Sequence, residues 1–494
     1  MGFLLVLAIM LPVAGVLLLI AMGARHAERI AAMLMPTGFC IAVAIVAVVW
    51  DGGTALSYQV GGWTPPLGIA LRADGLSAVM MVTTSVVVCA VALFAGAGFS
   101  VPQGQPETRA PLVFWTLLMG VWSALDAVWL GGDLFTLYVA LELLTFGAVP
   151  LVALDGSAAT LAAALRYLLF ALVGSVLYLL GVAMIYGAYG TLDIVLLSGL
   201  VRAAPLTWIA VALMTAGLAA KTALFPLHLW LPPAHAGAPA AASALLSALV
   251  VKGSFFLIVR IWFDVMPGLP SWGAAQVLGA LGAAAVVFGS VLALRQARLK
   301  LMIAYSTIAQ IGYLFFLFPL ASGTVWSGVA WTGGMLQLVA HAFAKAAMFM
   351  AAGLIGEALG HDRIAEFGGI GRALPKTVFA FALAGMSLMG LPPSGGFVAK
   401  AMLLTAAVGE GQWWWAVVIL AGGLLAAGYV FRVLAPALAT DAAPVTLRTE
   451  IAPRRQGVVL VLAIGALLLG FLPLRPSQLL DIGRPVVAAA AVAR

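Results

Sequence analysis

Residues 221–252 read KTALFPLHLWLPPAHAGAPAAASALLSALVVK, an apolar run that begins at Lys221, ends at Lys252 and is interrupted by Pro226 and Pro232. A membrane-crossing helix needs about 20 largely apolar residues at ~1.5 Å each, and this stretch is long enough to cross only if its backbone tolerates the prolines. Pro226 cannot donate to the Thr222 carbonyl, so an unpaired acceptor is left at membrane depth, where only protein or water can satisfy it. The same combination returns in GMSLMGLPPSGGFVAK, residues 385–400, where Pro392 and Pro393 free the carbonyls of Leu388 and Met389 just before Lys400. Interrupted helices in corresponding positions of two halves mark internally repeated transporters. The expected division is therefore a three-helix segment over 1–110, five-helix repeats over 111–272 and 273–437, and a C-terminal helix and tail over 438–494.

The rest of the chain agrees with a lipid surrounding. Of 494 residues, 64% are hydrophobic and 8% charged, against roughly 25% charged in a soluble domain, and the mean hydropathy is +1.16. Such a chain cannot coat itself with charge in water. The net charge of +7 comes from arginines scattered singly through short loops, with no basic stripe, which excludes nucleic acid as a partner. Cys40 and Cys89 stand alone in different apolar segments. Without CxxC or metal-ligand spacing, no iron–sulfur, haem or zinc site is expected, and hence no cofactor and no metal.

Apolar runs of spanning length start near residues 3, 31, 76, 111, 132, 161, 205, 242, 273, 301, 327, 376, 412 and 456. That predicts an all-α polytopic membrane protein of about 14 helices; sustained strand-type alternation is missing, which argues against a membrane β-barrel. The start, MGFLLVLAIM, lacks a basic n-region and reads as the first span, not as a signal peptide. Alternate loops divide the charge sharply. Arg25, Arg29, Arg109, Arg166, Arg295, Arg298, Lys300, Arg363, Arg372, Lys376, Arg448, Arg454 and Arg455 fall on one side, and only Arg72, Arg202, Arg475, Arg484 and Arg494 on the other. A bacterial inner membrane with both termini facing away from the cytoplasm follows as the expectation. Trp50, Trp129, Trp262, Trp272 and Trp413 to Trp415 fall at predicted helix ends and read as aromatic belts.

Four of the six lysines, Lys221, Lys252, Lys345 and Lys400, lie inside apolar segments, whereas of eighteen arginines only Arg260 and Arg432 intrude. Both are near enough to helix ends to snorkel. Arginine keeps its proton; a desolvated lysine can release one near neutral pH. Each mid-bilayer charge costs roughly 2.5–3.5 kcal/mol if it faces lipid, so these lysines and Glu142 are expected to face a polar interior. Glu142 is the one carboxylate near the middle of a helix, and it cannot balance four ammonium groups. Some of the lysines are therefore expected to be neutral at rest. Lys252 and Lys400 have no ionisable neighbour one turn away, which points to partners on other helices or to water. His341 and Lys345 are four apart and share a helical face, close enough to pass a proton directly or through water. His228, His235 and Asp126 are further candidates for the proton path. Pro226, Pro232, Pro392 and Pro393 are the expected helix breaks. No catalytic constellation is encoded; Asp362 and Glu366 are isolated loop carboxylates, too few for a membrane-bound lipid transferase.

The stretches GGWTPPLGIALRADGLSA, GDLFTLYVALELL, KTALFPLHLWLPPAHAGAPAAASALLSALVVK, KLMIAYSTIAQIGY, HAFAKAAMFMAAGLI and GLPPSGGFVAK, spread from about residue 60 to 435, resemble the antiporter-like subunits of respiratory complex I, membrane-bound hydrogenases and Mrp-type cation/proton antiporters. The resemblance implies fourteen helices with two inverted five-helix repeats. It implies that Glu142 and Lys221 form the coupled pair of the first half-channel, that Lys252 is the connecting lysine, that His341 and Lys345 lie on the second repeat's polar axis, and that Lys400 is its terminal group. It further implies a proton-translocating subunit without a redox site of its own, partnered by other membrane subunits of a hetero-oligomeric, redox-driven complex. Sodium/proton exchange or inorganic-carbon uptake are the alternatives. In such a row of amines, protonating one disfavours the next: at ~7 Å an effective dielectric of ~20 gives about 2.4 kcal/mol.

Overall fold

The computed structural model describes residues 1–101, 108–267, 271–321, 327–439, 445–471 and 476–483. Arg475, Arg484 and Arg494, three of the expected charges on the arginine-poor side, lie outside the described residues. The crossing helices are α1 (Phe3–Met22), α2 (Ala27–Gly52), α3 (Gly75–Ala95), α4 (Arg109–Leu130), α5 (Leu134–Val152) and α6 (Ala158–Tyr189). Then come α7 in two halves (Pro205–Thr222 and Leu231–Gly237), α8 (Ala240–Val265), α9 (Trp272–Arg295), α10 (Leu299–Leu320) and α11 (Ser327–Leu359). The last are α12, again in two halves (Pro375–Met389 and Gly395–Gly409), α13 (Trp413–Ala437) and α14 (Pro453–Leu468). Among the described residues, twelve helices are long and apolar enough to cross a membrane; the halves of α12 and the shorter α14 complete the fourteen. The only strands among the described residues are β1 (Leu56–Gln59) and β2 (Ala70–Ala73), an antiparallel hairpin before α3.

Burial sorts the helices into layers. The apolar window of α8 is buried throughout, and α10 and α11 are 89% buried, whereas α1 and α2 are 28% buried. The lysine-bearing α8 and α11 are thus the centre of the molecule, wrapped by helices that take the contact with lipid. Close approach is arranged by small residues: a Cβ on Gly174 of α6 would collide with the Gly217 carbonyl of α7, and one on Gly217 with that of Gly174. Two backbones in contact gain dispersion along their whole length, the usual source of helix association in lipid.

Both interrupted helices stop in the same way. The first half of α7 ends on Ala223 (φ 60°) and that of α12 on Gly390 (φ 78°). A left-handed residue turns the chain out of the helix and exposes carbonyls of the last turn. Glycine adopts this without cost, and Ala223 accepts roughly 1–2 kcal/mol of strain. Pro226 lies within the first break, and Pro392 and Pro393 within the second. Pro232 does not interrupt: it sits at the first turn of Leu231–Gly237, where its missing N–H is unneeded.

Two sequence expectations fail here. Trp129 and Trp262 are buried, and their indoles donate to Thr84 Oγ1 (2.9 Å) and Thr215 Oγ1 (3.1 Å); Trp415 is also buried, donating to Gln412 Oε1 (3.0 Å). Of the tryptophans expected in the belts, Trp50, Trp272, Trp413 and Trp414 face outward. Arg260 does not snorkel. It is buried, and its guanidinium reaches Asp74 (2.5 and 2.7 Å), Asp264 (2.5 Å) and Ser77 Oγ (2.9 Å). Arg432, by contrast, is exposed and donates to the Leu294 carbonyl.

Candidate functional site

The first charged pair is built by three helices. Lys221, one residue before the end of the first half of α7, places Nζ 2.8 Å from Glu142 Oε1 and 3.2 Å from Thr145 Oγ1, both on α5. Ser175 of α6 donates to the same carboxylate oxygen. A narrow cavity bordered by Thr145, Tyr167, Lys221, Val250 and Ser254 leads from this pair to α8, and Thr222 Oγ1 donates to Ser254 Oγ at 2.9 Å. The pairing implied by the resemblance is therefore present.

Lys252 is fully buried and donates to the Ser247 carbonyl (2.8 Å), five residues back on its own helix. Residues Leu246–Val250 form a π-helical turn, and such a widened turn takes carbonyls off the regular ladder, often at functional sites. Lys400 likewise donates to the Leu388 carbonyl (2.5 Å) across the break in its own helix α12, with Nζ 4.2 Å above the Tyr313 ring. The partners expected on other helices or from water are thus carbonyls of the lysines' own interrupted helices. At Leu388 the sequence names the acceptor that Pro392 sets free without showing that Lys400 folds back to take it. In α12 the Leu388 carbonyl lies two residues before the left-handed Gly390; in α7 the corresponding position, two before Ala223, is Lys221.

Lys345 of α11 donates to the Ile303 carbonyl (3.0 Å) and to Ser306 Oγ, both on α10. The two ring nitrogens of His341 have no hydrogen-bond partner among the described residues. The direct hydrogen bond between His341 and Lys345 is absent among the described residues. A buried imidazole without a partner belongs where water can reach it. His235, also buried with both nitrogens unpartnered among the described residues, stacks on Phe349 at 4.5 Å. His228 stacks on Phe225 and meets Phe288 edge-on beside the first break. Asp126 is buried with Oδ1 unpartnered, and no described contact joins it to the lysines.

What sequence reasoning missed is the polar face of α10 that ties these groups together. Ser247 Oγ meets Thr307 Oγ1 (2.9 Å), and the adjacent Ser306 receives Lys345; Tyr429 OH accepts from Gln310 Nε2 at 3.5 Å. Gln310 donates to the Leu388 carbonyl (3.1 Å) that Lys400 shares, and accepts from Gln337 Nε2 (3.0 Å). Ser306, Gln310 and Tyr313 are spaced i, i+4, i+7 in KLMIAYSTIAQIGY, a polar stripe on one helical face that the sequence displays. The Arg260 cluster also had a signal, the i, i+4 pair Arg260 and Asp264. Burial alone would raise the Asp74 carboxyl, but the Arg260 guanidinium against it, with Arg72 beyond, holds it at about 2. No three His, Cys, Asp or Glu side chains among the described residues are grouped to hold a metal ion.

Comparison with known proteins gives a consistent family. Residues 131–426 match the family described as NADH:quinone oxidoreductase/Mrp antiporter, TM. The chain is similar to NADH-quinone oxidoreductase subunit N of Desulforudis audaxviator, 34% identical over 92% of this chain and 93% of that protein. It is 28% identical to a Na(+)/H(+) antiporter subunit of Bacillus subtilis over 80% of this chain and 78% of that one. Among solved structures, a chain of the Mrp complex from Dietzia sp. superposes with a TM-score of 0.87 at 26% identity, covering 97% of this chain and 96% of that one.

Proposed function

The chain belongs to the NADH:quinone oxidoreductase/Mrp antiporter transmembrane family, and from that premise we propose that it is a proton-translocating subunit of a larger, redox-driven complex. It would sit in a bacterial inner membrane, bound to other membrane subunits, with both termini on the non-cytoplasmic side. The two repeats would be residues 111–272 and 273–437. One observation carries the reading: Lys252, Lys345 and Lys400 are buried at the centre, and each amine rests on carbonyl or hydroxyl oxygens with no carboxylate beside it among the described residues. A neutral amine and an ammonium can both use such oxygens, whereas a permanent ion pair would trap the charge.

The chemistry is a proton hop in which a neutral amine accepts a proton and its neighbour gives one up. The hydroxyls of Ser247, Thr307, Ser306 and Tyr429, and water at His341, would lie between the amines. Opening and closing of the Glu142–Lys221 pair would bias the row, because among the four interior lysines of the described residues Lys221 is the one with a carboxylate beside it. The partner complex would supply the driving reaction; this chain's residues move only protons.

A second reading, sodium/proton exchange of the Mrp type, is favoured by the TM-score of 0.87 with an Mrp chain. The two separate in sealed vesicles: redox turnover acidifies the lumen without sodium under the first, and an imposed sodium gradient drives proton movement under the second. Lys252→Ala tests the axis in either case. Proton movement, followed by quenching of a pH-sensitive acridine dye, is expected to fall to background while the assembled complex persists on a native gel. Parental rates of proton movement in that variant would refute the role of Lys252.

A further inference from the structure

A second site lies on the lateral face of the molecule, beside the first helix break. A cavity of about 310 Å³ sits between α6, the α7 break and α10, bordered by Arg166, Phe170, His228, Leu229, Pro232 and Tyr305. Arg166 is exposed and has no hydrogen-bond or ion-pair partner among the described residues. His228 is 3% exposed, and its Nδ1 has no partner. The unpaired guanidinium thus stands at a lateral opening whose inner wall includes the buried His228, and a guanidinium is suited to an oxyanion.

The surroundings identify what brings that oxyanion. Leu165, Leu169, Val173, Val176 and Leu180 are all exposed along the outer face of α6, an apolar strip of about 22 Å at ~1.5 Å per residue. α6 has 32 residues and is therefore about 48 Å long, against ~30 Å of hydrocarbon. If the excess is shared by the two ends, Arg166 lies about 12 Å from the start of the helix and ~3 Å inside the hydrocarbon boundary. A guanidinium on its flexible stem reaches the phosphate layer from that depth.

We propose that this cavity binds the phosphate of an anionic membrane lipid, held by Arg166 and the His228 side of the broken helix, with an acyl chain along the exposed face of α6. The site is separate from the lysine row, but it touches the segment that follows Lys221, so lipid occupancy would brace the first break from outside.

The test is native mass spectrometry of the intact complex in mild detergent, supplied with phosphatidylglycerol and phosphatidylcholine as competing probes. The parental complex is expected to retain phosphatidylglycerol preferentially. Arg166→Ala is expected to lose about one retained phosphatidylglycerol per complex and to weaken retention about tenfold or more, as for the loss of a charge-assisted hydrogen bond. Arg166→Lys, which keeps the charge, is expected to retain most of it. Only assembled complexes are read, so a folding defect cannot imitate the result. Equal retention by the Arg166→Ala complex overturns the proposal. So does a photo-reactive residue placed at position 169 that captures a neighbouring subunit in place of lipid.

Discussion

Replacing Glu142 by Gln keeps the shape of the first charged site and removes its anion. With Lys221 Nζ 2.8 Å from Glu142 Oε1, the gross attraction at an effective dielectric of ~20 is about 6 kcal/mol. Burial of both groups offsets part of this, and removing one partner of such a pair typically costs about 3–5 kcal/mol. A shift of that size changes the population of any state that needs the closed pair by roughly 10²- to 10⁴-fold. Proton movement by Glu142→Gln complexes in sealed vesicles is therefore expected to fall below a hundredth of the parental rate while electron transfer in the partner complex is recorded in parallel. The double variant Glu142→Gln, Lys221→Met separates switch from scaffold. Removing both partners of a buried pair costs little stability, so assembly should recover in the double variant while proton movement stays at background. Transport above half the parental rate in Glu142→Gln, or its restoration in the double variant, would mean that the pair is a structural clasp and the reasoning is wrong.

Lys400→Arg keeps the positive charge beneath Leu388 but cannot release a proton; transport is expected to vanish, and full activity in a vesicle assay would sink the idea that Lys400 gives up a proton. Asp74→Asn probes the buried Arg260 cluster. The Asp74 carboxyl is held at about 2 against an ordinary 3.8; a depressed carboxyl stabilises the fold above its unfolded value and loses that contribution as pH falls through the folded one, here from about 4 to about 2. That difference corresponds to roughly 2 kcal/mol, so Asp74→Asn should melt below the parent at pH 7, and the gap should narrow once the pH drops under about 4. A gap independent of pH, measured by thermal unfolding in detergent, would contradict that assignment.

The membrane class, the fourteen helices and the two breaks are legible in the sequence because each depends on local quantities: how many apolar residues run together, and where proline removes a donor. The interior lysines are legible for the same reason, since any charge inside an apolar run must find a polar lining. Lys252 and Lys400 show where this stops. Their acceptors, the carbonyls of Ser247 and Leu388, become available only when a π-turn widens α8 and Gly390 turns α12 out of its helix. A one-dimensional reading, with regular helices assumed, sends both amines to other helices or to water. Arg260 illustrates the converse. Proximity to a helix end suggests water, but Asp74 arrives from a segment 186 residues away and makes burial cheaper than exposure.

By itself, then, the order of residues determined that lipid surrounds the chain, that its helices are broken at two matching places and that lysines are held inside, because those follow from the cost of placing polar groups in hydrocarbon. Only the packed structure decided which oxygen each amine meets, that α10 lays a hydroxyl and amide stripe between them, and that Lys345 hydrogen-bonds to α10 and not to His341. Those are matters of direction and distance between helices far apart in sequence, and no local pattern contains them.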